Sequence, residues 1–175
     1  MAENESFNQK IIFAPDKNLG GYINQVTGRN MLLWDGVCKV HDAIQPADIM
    51  QMKQNHPDAK VIAHPECNRA VLCTADFIGS TKAMLNYIQN SGSQQFIVVT
   101  EPGILYEMKK NNPDKEFFEI VEGEKRLCPN CDYMKYNTLE KLYQCLKDEK
   151  PEIIVADELR EKAVRPIKRM LDMSK

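Results

Sequence analysis

Apolar positions along this chain gather in short blocks, and the stretches between them carry apolar residues at helical spacing. KIIFAP (10–15), NMLLWDG (30–36), KVIAHPE (60–66), ADFIGS (75–80), QFIVVTEPG (95–103) and EFFEI (116–120) read as strands, most of them stopped by proline or glycine. DKNLGGYINQ turns into a short helix, and QPADIMQMKQNHP (45–57) places Ile49 and Met52 at helical spacing between prolines. A helical stretch follows over Asn68 to Thr74. GST (79–81) opens the helix TKAMLNYIQN, and ILYEMKKNN continues from the fifth strand as another. NTLEKLYQCLKDE (137–149) is an amphipathic helix with a Thr-x-Glu start. Asp157 reads as the N-cap of ELREKAVRPIKRMLDM, in which Pro166 should end or kink the first half.

Strands alternate with helices, and the strands are apolar on both faces. That pattern predicts an α/β fold with short parallel sheets covered by helices. Chemistry in such folds collects at the carboxyl ends of strands, where Cys38, His64, Glu66, Ser80 and Thr81 fall. There is also a weak internal echo. IFAPDKNLGGYI (12–23) lines up with IVVTEPGILYEM (97–108) as strand, acidic residue, glycine-containing turn and helix. Each copy is followed by a strand and then by cysteine, which suggests related modules directing thiolates at a common point.

The bulk numbers narrow the function classes. With 175 residues the chain can form one domain or two small ones, and 43% hydrophobic with 27% charged residues is ordinary for a globular protein. A net charge of −2 and a pI near 6.0 argue against general affinity for nucleic acid or an anionic membrane. The start, MAENESFNQK, is polar and acidic and does not read as a secretory signal, so a cytoplasmic location is expected.

In that compartment the six cysteines, at 38, 67, 73, 128, 131 and 145, do not suggest a disulfide framework. Cys38-x-x-His41 and Cys128-x-x-Cys131 together have the composition of a Cys3His zinc site; the competing reading is buried thiols and a surface histidine. HPEC (64–67) puts an imidazole and a carboxylate two residues apart, on one face if the chain is extended, able to orient a substrate and move protons. Its bland counterpart is a structural histidine bonded to backbone. Gly79-Ser80-Thr81, between strand and helix, has the makings of an anion site, or is a plain N-cap.

Taken in order, IFAPDKNLG, LLWDGVCKVH, HPEC, ADFIGST, FIVVTEPGILYEMKKNNPDK, CPNCDYMKYNTLEKLY and ELREKAVRPIKRML resemble the quinolinate synthase family, the A-type enzymes of de novo NAD synthesis. The match runs from about residue 10 to the end. The resemblance implies αβα modules that belong to a three-domain enzyme with a pseudo-threefold axis, each domain giving one cysteine to a central [4Fe–4S] cluster. It implies condensation of iminoaspartate with dihydroxyacetone phosphate to quinolinate, with loss of phosphate and two waters. The fourth iron, held by no thiolate, acts as a Lewis acid.

Carried over by position, the resemblance makes Cys38 a cluster ligand and His41 a catalytic residue lining the site. His64 and Glu66 become the substrate-orienting and proton-transferring groups, and Ser80 and Thr81 contacts to a substrate carboxylate or phosphate. The family pattern sets the last cluster cysteine three before a methionine, here Met134, which selects Cys131, with Cys128 as the alternative. Cys67 is then no ligand, and Cys73 and Cys145 are expected to serve packing.

By the same resemblance, residues 1–45 correspond to the second half of the middle domain, 46–136 to the last domain and 137–175 to closing helices. The family's N-terminal domain, with its cluster cysteine, has no counterpart here. The chain is therefore expected either to be inactive alone or to work with a separately encoded N-terminal partner. L-aspartate oxidase is the expected iminoaspartate source. The alternative is a non-catalytic binding module stabilised by zinc on Cys38, His41, Cys128 and Cys131.

Overall fold

A computed structural model describes residues 10–122, 125–126 and 130–174. The chain divides into two compact units, one ending at Cys131 and the other running from Asp132 to Lys175. The first unit is α/β with parallel strands, as the alternation of patterns predicts.

It opens with β1 (Ile12–Phe13), α1 (Lys17–Thr27) and β2 (Leu32–Leu33), and the two strands pair in parallel. Asp16 caps α1 by accepting from the Leu19 N–H, and Gly28 ends it with a positive φ of 67°. Next come α2 (Lys39–Asp42) and α3 (Pro46–Asn55). Proline at the first position of α3 and a reciprocal Gln45–Asp48 capping box fix its start.

A second parallel sheet follows, built from β3 (Lys60–Ala63), β4 (Phe77–Ile78), β5 (Gln95–Val99) and β6 (Glu116–Glu119) in the order β4-β3-β5-β6. Its crossovers carry α4 (Arg69–Leu72), α5 (Thr81–Asn90), and a 3-10 turn (Pro102–Ile104) leading into α6 (Leu105–Asn111). The central strands are apolar throughout because both faces are covered. Val61, Ala63, Ile97 and Val99 point to one core with Val40, Ile44, Ile49, Met52 and Val71. Ile62, Phe96 and Val98 point to the other with Met84, Ile88, Leu105, Met108 and Phe117. The two-residue alternation of strand side chains thus builds two cores from one sheet. Each fully buried large side chain there contributes roughly 1.5–3 kcal/mol. An antiparallel pair, β7 (Val121–Glu122) with β8 (Lys125–Arg126), comes after the sheet.

The second unit holds α7 (Asp132–Lys135), α8 (Leu139–Asp148) and α9 (Asp157–Met173). On α8, Leu139, Leu142, Tyr143 and Leu146 form an exposed apolar stripe at helical spacing.

Several expectations need correcting. The strands expected over 10–15 and 30–36 contract to two residues each, since only two pairs of positions are in register. Strand β3 stops at Ala63, so His64 and Glu66 lie beyond it. Ala156, not Asp157, is the N-cap of α9; Asp157 is the first helical residue and pairs with Arg160. Pro166 sits inside α9, which runs on past it. Its missing N–H costs one backbone bond, and the turns on either side continue.

Candidate active site

The carboxyl edge of the four-stranded sheet gathers three chain segments. Beyond β3 comes His64, beyond β4 comes Gly79-Ser80, and beyond β5 comes Thr100. Parallel pairing sets these neighbours about 4.8 Å apart, and the ladder extends into them. The His64 N–H donates to Val99 O at 3.1 Å and the Gly79 N–H to Ala63 O at 3.1 Å. A tight turn then folds Glu66 back over His64. The Cys67 N–H donates to His64 O at 3.0 Å, and the Glu66 N–H to His64 Nδ1 at 3.3 Å. The turn, not an extended strand face, brings imidazole and carboxylate together.

The fourth segment arrives from α2. Cys38 is its N-cap, and the carboxylate of Asp16 holds that cap. Asp16 Oδ2 accepts from the Cys38 N–H at 2.7 Å while Oδ1 accepts from Leu19 at 2.8 Å. Only 3% exposed, Asp16 ties the start of α1 to the start of α2. One turn on, His41 is 7% exposed and contacts the segments beyond β3 and β5. Its Nδ1 lies 3.0 Å from Glu66 Oε2, and its Nε2 lies 3.0 Å from Thr100 Oγ1. Its ring stacks on that of His64 at 4.4 Å with planes 13° apart. Asn18 braces the arrangement by donating to Asp42 Oδ1 and to the Glu66 carbonyl, both at 3.2 Å.

Burial pushes the pKa of His41 below its ordinary 6.5, against the pull of the Glu66 carboxylate. His64 is likewise lowered, first by burial and then by His41 beside it. Both imidazoles are therefore neutral near pH 7, and the His41–Glu66 contact is a hydrogen bond rather than an ion pair. A neutral imidazole against a carboxylate and a hydroxyl is a pathway that can hold or pass one proton.

The comparison with protein families decides the chain's ancestry: the family model for quinolinate synthetase A protein (NadA) matches residues 2–172. This chain belongs to that family. Among its relatives, quinolinate synthases of Microcystis aeruginosa and Synechococcus sp. are each 52% identical, covering 95% of this chain and 52% of their own length. That of Chlorobium phaeobacteroides is 54% identical over 94% of this chain and 51% of its own. The chain spans about half the length of the curated relatives it matches.

Of the expected site residues, Cys38, His41, His64 and Glu66 meet in the structure. Sulfur, nitrogen and oxygen ligand atoms of Cys38, His41 and Glu66 lie within 4.8 Å of one another, and His64 stacks on the group. Ser80 and Thr81 are exposed at the neighbouring strand end, where Ser80 Oγ caps α5 by accepting from the Ala83 N–H. Cys131 is half-buried and packs against the same core cluster as Cys38. Cys128 lies outside the described residues. Cys67 is buried, its Sγ 3.7 Å from Val99 O, and serves packing. Cys73 and Cys145 do not: both are exposed, at the end of α4 and on α8.

Cys38, His41 and Glu66 together are donors of the types zinc takes, and the thiols of Cys38 and Cys131 are of the type an iron–sulfur cluster takes. Both ring nitrogens of His41 are already engaged, so ligating zinc would cost it the bond to Glu66 or to Thr100. Thr100, Asp16 and Asn18 were not singled out by the sequence. The echo between 12–23 and 97–108 contained the only hint, since it aligned Asp16 with the segment just after Thr100.

Proposed function

We propose that this chain contributes the cluster-facing part of a quinolinate synthase, which joins iminoaspartate to dihydroxyacetone phosphate and releases quinolinate, inorganic phosphate and two waters for NAD synthesis. The observation that carries this reading is the hydrogen-bonded run from the half-buried Glu66 through buried His41 to buried Thr100, beside Cys38, within a member of that family. Cys38 and Cys131, with Cys128 as the alternative, would hold a [4Fe–4S] cluster. When bound, that group supplies an iron able to polarise substrate oxygen or nitrogen.

The chain's own residues do the rest. Glu66, receiving the His41 N–H at Oε2, is the group that accepts and returns a proton during enolisation and dehydration. His64, neutral and stacked on His41, presents its remaining edge to substrate and orients it. Ser80 and Thr81 stand at the start of α5, where hydroxyls and free backbone N–H groups suit a substrate carboxylate or phosphate.

A zinc-stabilised binding module on Cys38, His41, Cys128 and Cys131 is the second reading, supported by the closeness of Cys38 to His41. It requires His41 to surrender one of its two bonds. The deciding assay is quinolinate formation by the chain after anaerobic iron and sulfide reconstitution. It is run alone and mixed with the portion of the Microcystis aeruginosa relative that this chain does not cover. Product in either case is expected; no product in both overturns the reading.

A further inference from the structure

Thr100 directly follows β5 and is 3% exposed, and its hydroxyl oxygen is 3.0 Å from His41 Nε2. On the other side of the ring, Glu66 Oε2 is 3.0 Å from Nδ1. An ionised carboxylate can only accept, so the proton between Glu66 and His41 sits on Nδ1. Nε2 of the neutral ring then carries the lone pair, and the only way to satisfy it from Thr100 is for the hydroxyl to donate. We propose that Thr100 is a positioning residue that donates to His41 Nε2 and locks His41 as its Nδ1–H tautomer, with that N–H held on Glu66. The inference rests on the reading of Glu66 as the proton-moving group and adds the device that orients it.

Three features make the lock rigid. Threonine is β-branched, so its χ1 is restricted. The preceding residue, Val99, is fixed in register with Ala63 in the sheet centre. The His64 ring covers one face of His41 and opposes rotation. The tautomer matters because either ring nitrogen can carry the proton in a free histidine. With Nε2 occupied by a donor, the Nδ1–H always faces Glu66, so Glu66 enters any proton transfer with the same hydrogen bond already made. Valine has the shape of threonine without the donor. Serine keeps the donor.

The test uses long-range 1H–15N correlation NMR on the 15N-labelled chain at neutral pH, without metal or substrate. The chain has three histidines, so substitutions of His56 and His64 assign His41 by elimination. The wild-type chain is expected to show Nδ1 protonated and Nε2 as a hydrogen-bonded lone-pair nitrogen. Thr100→Val should move the Nε2 resonance downfield and replace the single-tautomer pattern with an averaged one, and Thr100→Ser should restore the wild-type pattern. A proton on Nε2 in the wild-type chain overturns the proposal, as does a Thr100→Val spectrum in which His41 is unchanged. Should Thr100→Val fail to fold, the wild-type tautomer alone decides. The readout needs no cluster and no turnover, so a chain that forms no quinolinate still answers it, and a wrong tautomer leaves the family reading intact.

Discussion

His41 is the residue on which the site converges, because one ring nitrogen and one ring face meet the His64–Glu66 turn and the other nitrogen meets Thr100. Its neutrality has a measurable cost. The folded chain lowers the pKa of His41 and His64 below 6.5, so between the folded and unfolded values the unfolded chain binds more protons. The stability linked to these groups is present above pH 6.5 and is lost as pH falls through their lowered values. The melting temperature of the first unit should therefore drop as the buffer goes from about pH 7.5 to about pH 5, and His64→Gln should reduce that slope. A flat profile, or one that rises on acidification, contradicts the burial argument. Glu66→Gln is the sharper functional probe. It keeps the shape of the side chain and removes its ability to hold a proton in transit. Cluster content should be retained while quinolinate formation falls by about 100-fold or more, and near-normal turnover would remove Glu66 from its role. Cys38, His64 and Glu66 stood out in the sequence as reactive side chains just beyond apolar blocks, and His41 by its Cys-x-x-His spacing, while their roles came from the family resemblance. Thr100 did not. A threonine just after a strand looks ordinary until β5 is known to pair with β3, and that pairing is non-local.

At the scale of elements, the packing of α1 onto β1 and β2 depends on one glycine. A Cβ on Gly20 would stand 2.6 Å from Leu33 Cδ2 and 2.7 Å from Phe13 Cδ1, whereas one on Gly21 meets nothing within 4 Å. Alanine gains the same helix propensity at both positions, about 0.5–1 kcal/mol. Gly21→Ala should thus raise the urea midpoint slightly. Gly20→Ala should lower it, by roughly 1–3 kcal/mol of overpacking set against that gain. Equal midpoints for the two variants would show that the strands do not hold α1 this closely. Helices of ten or so residues were readable from periodicity, and α5 matches its expected span of 81–90. The four-residue α2 was not, since one turn has no period to detect. Its start is set by the distant carboxylate of Asp16. Pro166 misled for the opposite reason: a local rule about proline gave way to the continuity of the turns around it.

At the scale of the molecule, the site draws on two parallel sheets that alternating patterns could announce only one element at a time. The β1–β2 pair delivers Asp16 and Cys38, and the larger sheet delivers His64, Glu66 and Thr100. No helix among the described residues is long and apolar enough to cross a membrane. The central claim is that thiols flanking this junction, and not the buried Cys67, hold an iron–sulfur cluster. The most direct measurement is iron content and visible absorption after anaerobic reconstitution of the wild-type chain, Cys38→Ser, Cys131→Ser and Cys67→Ser. Iron and colour in the wild-type and Cys67→Ser chains, lost from Cys38→Ser and Cys131→Ser, is the predicted result. Iron kept by Cys38→Ser, or lost as fully from Cys67→Ser, would contradict it.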